Sequence, residues 1–259
     1  MGLEEKLQAN LAAVRARIEE ACTRTHRDPD SVYLVVVTKS VGMDVILALV
    51  KMGVTDLGEN RVQQLTERAA AVSEFLQRRQ EPESSGEPPR APRWHMVGNL
   101  QRKKVSVLLP SVAMIHSVDR LRLAEEINKR ADGHSRRVDV LLEVNCADEP
   151  QKGGAAVCAA AHLGEQIASL PNLRVRGLMT MAPLTPDETI VRNAFSRVAE
   201  LFEEMRSEYA VGDTFDILSM GMSSDFEIAV QCGANLLRIG SALFEGARGA
   251  DLDDSCAGL

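Results

Sequence analysis

At 259 residues the chain is long enough for one large α/β domain or two small ones. Its 37 acidic against 30 basic side chains leave a formal net charge of −7, which repels polyanions and argues against nucleic acid and anionic membranes as main partners. Aromatic residues, at 3%, are too scarce to build stacking platforms for bases or sugars.

Leu3, Leu7, Leu11, Val14 and Ile18 place one apolar stripe on a helix from Leu3 to Thr25, ahead of any strand. The β-branched run Val32 to Thr38 then reads as a strand buried on both faces, ending at Lys39 and Ser40. A helix over Val45 to Met52 stops at Gly53, and a short strand, Val54 to Leu57, ends in Gly58-Glu59-Asn60. The spacing of Val62, Leu65, Ala69, Val72 and Leu76 predicts a helix from Arg61 to Arg79. Residues Gln80 to Arg93 are rich in proline and poor in apolar side chains, so they are expected to form a flexible surface insertion.

The rhythm then resumes. Strands are predicted at Trp94 to Val97, Val112 to Val118, Val138 to Val144, Leu173 to Met179, Phe215 to Met220 and Asn235 to Ile239. Helices alternate with them, at Leu100 to Leu109, Asp119 to Ala131, Ala155 to Leu170, Glu188 to Tyr209 and Asp225 to Cys232. Eight strands separated by helices point to a single (β/α)8 TIM-type barrel with an extra N-terminal helix, spanning residues 1–248. An open doubly wound sheet is the rival, and it would need a reversal of strand order. The acidic tail, 249–259, has no apolar periodicity and is expected to be disordered.

Five cysteines, odd in number and without a C-x-x-C pair, indicate neither a disulfide framework nor a zinc site. The opening MGLEEKLQAN lacks the basic-then-apolar pattern of a secretory signal, and no run approaches the roughly 20 apolar residues of a membrane span. A cytoplasmic protein is expected. His26, His95, His116, His134 and His162 show no ligand spacing, which gives metal catalysis little support.

In a parallel barrel the residues just past each strand face one another at one mouth. Lys39 has no acidic residue within four positions, and partial desolvation there would expose an amine able to form a Schiff base. The same hexapeptide also fits a lysine that caps its strand and points into water. Glu59, beside Asn60, could be solvated, and Asp119 reads as a helix cap. Ser219, Gly221, Ser223, Gly240 and Ser241 gather after the last two strands, where barrels often hold phosphate. A Schiff-base lysine opposite a phosphate cradle implies a ligand with both an aldehyde and a phosphate, for which pyridoxal 5′-phosphate is the obvious candidate. Arg238 would project into the mouth, to meet either the ring nitrogen or an inward acid such as Glu143.

The segments VVVTKS, GEN at Gly58, WHMVGNLQRKK from Trp94, RGLMTM from Arg176, LSMGMSSD from Leu218 and RIGSALFEG from Arg238 resemble the pyridoxal-phosphate homeostasis protein family. Members of that family are single-domain barrels similar to the N-terminal domain of alanine racemase. The resemblance implies a carrier or regulator with no established turnover, which holds the cofactor as a lysine aldimine and serves pyridoxal-phosphate-dependent apoenzymes as a monomer or weak dimer. Carried over by motif, Lys39 is the aldimine lysine and Arg238 faces the pyridine nitrogen. Ser219, Ser223, Gly240 and Ser241 cradle the phosphate, and Asn60 lies near the ligand. Three positions depart from the family pattern: Val41 where a second lysine is common, Asn99 where proline is usual, and Ser241 where threonine is frequent.

An amino-acid racemase is the main alternative. It is disfavoured by the ring-facing arginine, by the placement of the two tyrosines, Tyr33 and Tyr209, away from a second catalytic base, and by the expected lack of a β domain after the barrel. A cofactor-free Schiff-base aldolase is a second rival, with no need of that arginine.

Overall fold

The computed structural model describes residues 2–79, 90–133, 136–147 and 153–247. Eight parallel strands form a closed ring: β1 (Tyr33–Val37), β2 (Asp56–Glu59), β3 (Arg93–Met96), β4 (Met114–Val118), β5 (Val138–Asn145), β6 (Leu173–Met179), β7 (Ile217–Ser219) and β8 (Leu236–Ile239). Each pairs with the next, and β8 pairs back onto β1 with Leu34 opposite Leu237 and Val36 opposite Ile239. The expected barrel is therefore the observed one, and no strand-order reversal occurs. A two-residue strand, Ala155–Ala156, adds to the end of β5 outside the ring.

Side-chain alternation sorts the strands into two layers. Val35, Met114, Leu141, Met179, Ile217 and Leu236 point inward and form a small inner cluster. Their neighbours Val36, Ile115, Leu142, Leu178, Leu218 and Leu237 belong to the larger cluster that joins barrel to helices. Only the last three residues of β1 are buried, and Tyr33 is 57% exposed, so the strand is less enclosed at its N-terminal rim than its composition implies. That rim carries an ionic belt in which Arg93 meets Asp56 at 2.8 Å, Arg176 meets Asp139 at 3.1 Å and Asp216 at 2.8 Å, and Arg174 meets Asp139 at 2.5 Å. Arg93 thus opens a strand, and the expected insertion ends before it. Residues 80–89 and the tail from 248 onward lie outside the described residues.

The outer ring comprises α1 (Leu3–Thr23), α2 (Met43–Lys51), α3 (Val62–Arg79), α4 (Val105–Leu108), α5 (Leu121–Asp132), α6 (Val157–Ala168), α7 (Glu188–Glu208) and α8 (Phe226–Gln231). The helix expected over Leu100 to Leu109 shortens to a 3-10 turn, Arg102–Lys104, followed by the single turn of α4. Asp119 does not cap α5: Arg120 is the N-cap residue, and Asp119 pairs with it at 3.0 Å. Only one 3-10 turn, Ser241–Leu243, follows β8 among the described residues. Helix α1 fills that seam, packing its buried Leu7, Val14, Ile18 and Ala21 between α8 and α2. Lys6 and Asn10 donate to the carbonyls of Leu243, Glu245 and Gly246, and Arg17 pairs with Glu227 at 2.5 Å. The N-terminal helix is a structural member of the barrel rather than an appendage.

Between β5 and β6 the register shifts, with Val140 opposite Val175 but Leu141 opposite Gly177. Gly177 absorbs the extra residue at φ +146°, and a Cβ there would sit 1.8 Å from the Ile217 carbonyl oxygen. The strained backbone and the contact with immovable main chain predict that Gly177→Ala destabilises the fold by about 3 kcal/mol. Urea denaturation measures this, and a loss below about 1 kcal/mol would contradict it.

Candidate functional site

At the C-terminal mouth, the chain leaves β1 through a tight turn from Thr38 to Val41, with Lys39 exposed at its apex. Arg68, on α3, clamps the turn by donating to the carbonyls of Thr38 at 2.8 Å and Val41 at 2.7 Å. The same guanidinium pairs with Glu59, whose carboxylate also accepts from the Thr38 hydroxyl. Glu59 is fully buried, so the expectation of a solvated side chain is overturned. It faces the helix layer, and its negative charge is met by the arginine that fixes the lysine turn.

Beside β1, which pairs with β8, the strands β7 and β8 release two loops that are stitched together. The Ala242 amide donates to Ser223 Oγ at 3.2 Å, and the Arg238 amide donates to the Gly221 carbonyl at 3.1 Å. Gly240 lets this loop reach β1, because a Cβ there would stand 2.9 Å from the Val37 carbonyl oxygen. Ser223, Ser224, Ser241 and Ala242 line a cleft of about 640 Å³ with Arg17 at its edge. These are short polar groups and backbone amides of the kind that hold an anion. Asn60 is half-buried directly after β2.

Arg238 is buried within the mouth, its Nη1 donating to Ser219 Oγ at 2.7 Å and its Nη2 to the Thr180 carbonyl at 2.8 Å. Burial pulls the guanidinium down to about 10, while the Asp225 and Glu143 carboxylates act in the opposite direction. It remains charged at neutral pH. It forms no direct ion pair with Glu143, so of the two partners the sequence allowed, the inward acid is not the one engaged.

Ser219 differs from the other serines. Its side chain is fully buried inside the barrel and its hydroxyl is engaged by Arg238. Strand β7 ends at Ser219 itself, so the residue belongs to the inner layer and not to the loop.

Sequence reasoning also missed an interior polar row. Asp56, His95 and His116 are buried and joined by hydrogen bonds, and His116 in turn faces Ser219. Burial alone would raise the Asp56 carboxyl, but hydrogen bonds from His95, Arg93 and Thr55 outweigh it and hold the group well below the usual carboxylate range. Burial, together with His95 and Arg238, holds His116 well below an ordinary imidazole. The signal was available in the period of two: His116 stands two residues from the inward Met114, Ser219 two from Ile217 and Arg238 two from Leu236. Glu143 was weighed only as a partner for Arg238. Burial and the neighbouring Asp119 push its carboxyl up to about 7, against the pull of Arg238 and Arg120.

Among the described residues, no cluster of histidine, cysteine and carboxylate side chains could hold a metal ion, and no helix is long and apolar enough to cross a membrane.

A parallel barrel with a lysine turn, a buried arginine and a serine-glycine cleft at one mouth defines a class, and the chain belongs to it: residues 9–247 match the family described as alanine racemase, N-terminal domain. Within that class it is a member of the pyridoxal phosphate homeostasis protein family, for the protein of that name from Aquifex aeolicus is 38% identical over 90% of this chain and 95% of the relative. Among solved structures, a Bifidobacterium adolescentis protein is 32% identical with a TM-score of 0.84, covering 93% of this chain and 96% of that one. PipY of Synechococcus elongatus PCC7942, solved with PLP bound, is 27% identical with a TM-score of 0.76, covering 94% of this chain and all of that one.

Two measurements test this site without a ligand. Arg68→Met leaves Glu59 buried beside a lone hydroxyl and should cost about 3 kcal/mol in urea denaturation; a loss within 0.5 kcal/mol of zero would show that the clamp carries no weight. Glu143 has a folded pKa raised above its unfolded value, so its contribution is present below about pH 4.5 and is lost as pH rises through about 7. Glu143→Gln should therefore match the wild type near pH 4 and exceed it by about 3 kcal/mol at pH 8. A stability difference that does not grow with pH would refute the assignment.

Proposed function

We propose that this protein binds pyridoxal 5′-phosphate and acts in homeostasis of that cofactor, as a carrier or regulator and not as an enzyme. The observation that carries this reading is the convergence of Lys39, Arg238 and the Ser223 to Ser241 loops on one mouth, in a chain whose relatives bear that name. The residues fit the group chemically. Lys39 offers an accessible primary amine, and the stitched loop of Ser223, Gly240 and Ser241 offers hydroxyl and amide donors to a phosphate. Two of the five guanidinium N–H groups of Arg238 are engaged by Ser219 and Thr180, which leaves others for an aromatic nitrogen. Asn60 borders the same space.

When bound, pyridoxal phosphate supplies an aldehyde that condenses with primary amines and a ring able to draw electrons from an attached amino acid. The part of this chain that bears on the second property is Arg238. A permanent cation donating to the ring nitrogen opposes protonation of that nitrogen and so weakens the electron sink. The protein accordingly holds the cofactor without efficient turnover of amino acids. Storage and delivery to pyridoxal-phosphate-dependent apoenzymes in the cytoplasm, by a monomer or weak dimer, is the role consistent with this chemistry.

Borohydride treatment of the protein loaded with pyridoxal phosphate should leave a pyridoxyl group on the peptide containing Lys39. Its recovery on Lys103 or Lys104 instead would overturn the site. In deuterium oxide, the loaded protein should exchange the α-proton of amino acids slowly or not at all. Exchange at about 1 s⁻¹ or faster, as enzymes achieve, would convert the carrier into an enzyme.

A further inference from the structure

The interior polar row spans the barrel from its N-terminal rim to its mouth. Asp56 Oδ1 lies 2.9 Å from His95 Nε2, and His95 Nδ1 lies 2.9 Å from His116 Nε2. His116 Nδ1 is 3.4 Å from Ser219 Oγ, which accepts from Arg238 Nη1 at 2.7 Å. All five side chains are buried, His116 and Ser219 completely.

The direction of every link follows from its ends. An arginine can only donate and an ionised aspartate can only accept, whereas a hydroxyl or a neutral imidazole does both. Ser219 Oγ receives Arg238, so its own proton turns toward His116 Nδ1. That nitrogen must then accept, which puts the His116 proton on Nε2. His95 Nδ1 accepts it, and the His95 proton on Nε2 goes to Asp56. Each donor meets an acceptor in this polarity. In the alternative, His95 is protonated on both nitrogens and His116 donates toward Ser219, which leaves the serine proton with no acceptor in the row.

We propose that this row is a one-way hydrogen-bond relay that fixes the Arg238 guanidinium at the mouth, with His116 as the positioning residue. It deepens the function proposed above and rests on Arg238 being the group that meets the cofactor ring. His116 touches no ligand. It supplies the one acceptor that keeps the Ser219 proton turned away from the guanidinium, so that Ser219 Oγ stays an acceptor and Arg238 keeps two fixed anchors. Without it, the hydroxyl is free to rotate and the guanidinium loses its set direction. The neutral row also screens a buried cation with aligned dipoles, ending on a carboxylate that is itself paired with Arg93.

The test has two readouts. Long-range proton–nitrogen spectra of the cofactor-free protein carrying ¹⁵N-histidine, at pH 7.5, should show His95 and His116 both neutral and both protonated on Nε2. Finding either as the Nδ1–H tautomer or as the imidazolium would overturn the relay. Pyridoxal phosphate affinity, read from the absorbance of the bound cofactor, should fall about tenfold in His116→Leu and largely recover in His116→Gln, whose amide offers both an acceptor and a donor. A folded His116→Leu protein with wild-type affinity would refute the positioning role even where the tautomers are as derived. Where that variant does not fold, Ser219→Ala, which removes a single oxygen, carries the same affinity measurement with the same two outcomes. Failure of the wild type to bind pyridoxal phosphate would sink the proposed function, and the tautomer spectra would still decide the relay on their own.

Discussion

A guanidinium inside a closed barrel cannot shed its charge at neutral pH, and the rest of this structure answers to that constraint. Arg238 is among the most buried cations of the chain, and water cannot solvate it there. A serine hydroxyl and a main-chain carbonyl replace part of the lost hydration. Behind the serine, two imidazoles and a carboxylate continue the alignment to the opposite rim. The inner apolar cluster is correspondingly small, because much of the barrel axis is given to polar side chains. The resulting interior is held by directional bonds as much as by packing, so its geometry is less free to relax than that of an apolar core.

The lysine turn obeys the same logic on the outer side of the strands. Glu59 would be untenable without Arg68, and Arg68 uses its remaining donors on the carbonyls that bracket Lys39. The Lys39 amine is left accessible while the backbone beneath it is fixed. One face of the mouth is thus set by a buried ion pair in the helix layer, the other by a buried cation in the barrel interior. The loops after β7 and β8 join them through Gly240 and the Ser223 to Ala242 hydrogen bond.

Much of this was legible in the sequence. Alternating apolar runs located eight strands, and the closure of β8 onto β1 confirmed what their count implied. Lys39, Gly240 and Ser241 lie just past strand ends, where a barrel gathers its loops at one mouth. The errors share a cause: whether a polar residue faces inward, outward or into a loop depends on the last paired residue of its strand. Ser219 lies close to Ser223 in sequence, yet it is the last residue of β7 and bonds to Arg238 inside the barrel. Glu59 looked solvated in a Gly-Glu-Asn turn, yet it is the final residue of β2 and faces α3. Arg93 was assigned to the proline-rich insertion although it belongs to the ionic belt. His95 and His116 were judged by metal-ligand spacing, a test that cannot detect two residues that meet only through the pairing of β3 with β4.

The seam closed by α1 bears on the order in which the molecule can be assembled. Lys6 holds the carbonyl of Gly246, a partner 240 positions away, and Arg17 waits for Glu227 over 210. On a growing chain, the apolar stripe of Leu7, Val14 and Ile18 emerges well before α8, the partner that covers it. The turn that carries Ser241 is steadied by that helix, so this side of the mouth takes its final shape only when α1 has docked. A barrel lacking its last strand would present Lys39 without the Ser223 and Ser241 loops beside it, so the mouth is assembled from segments more than 200 residues apart.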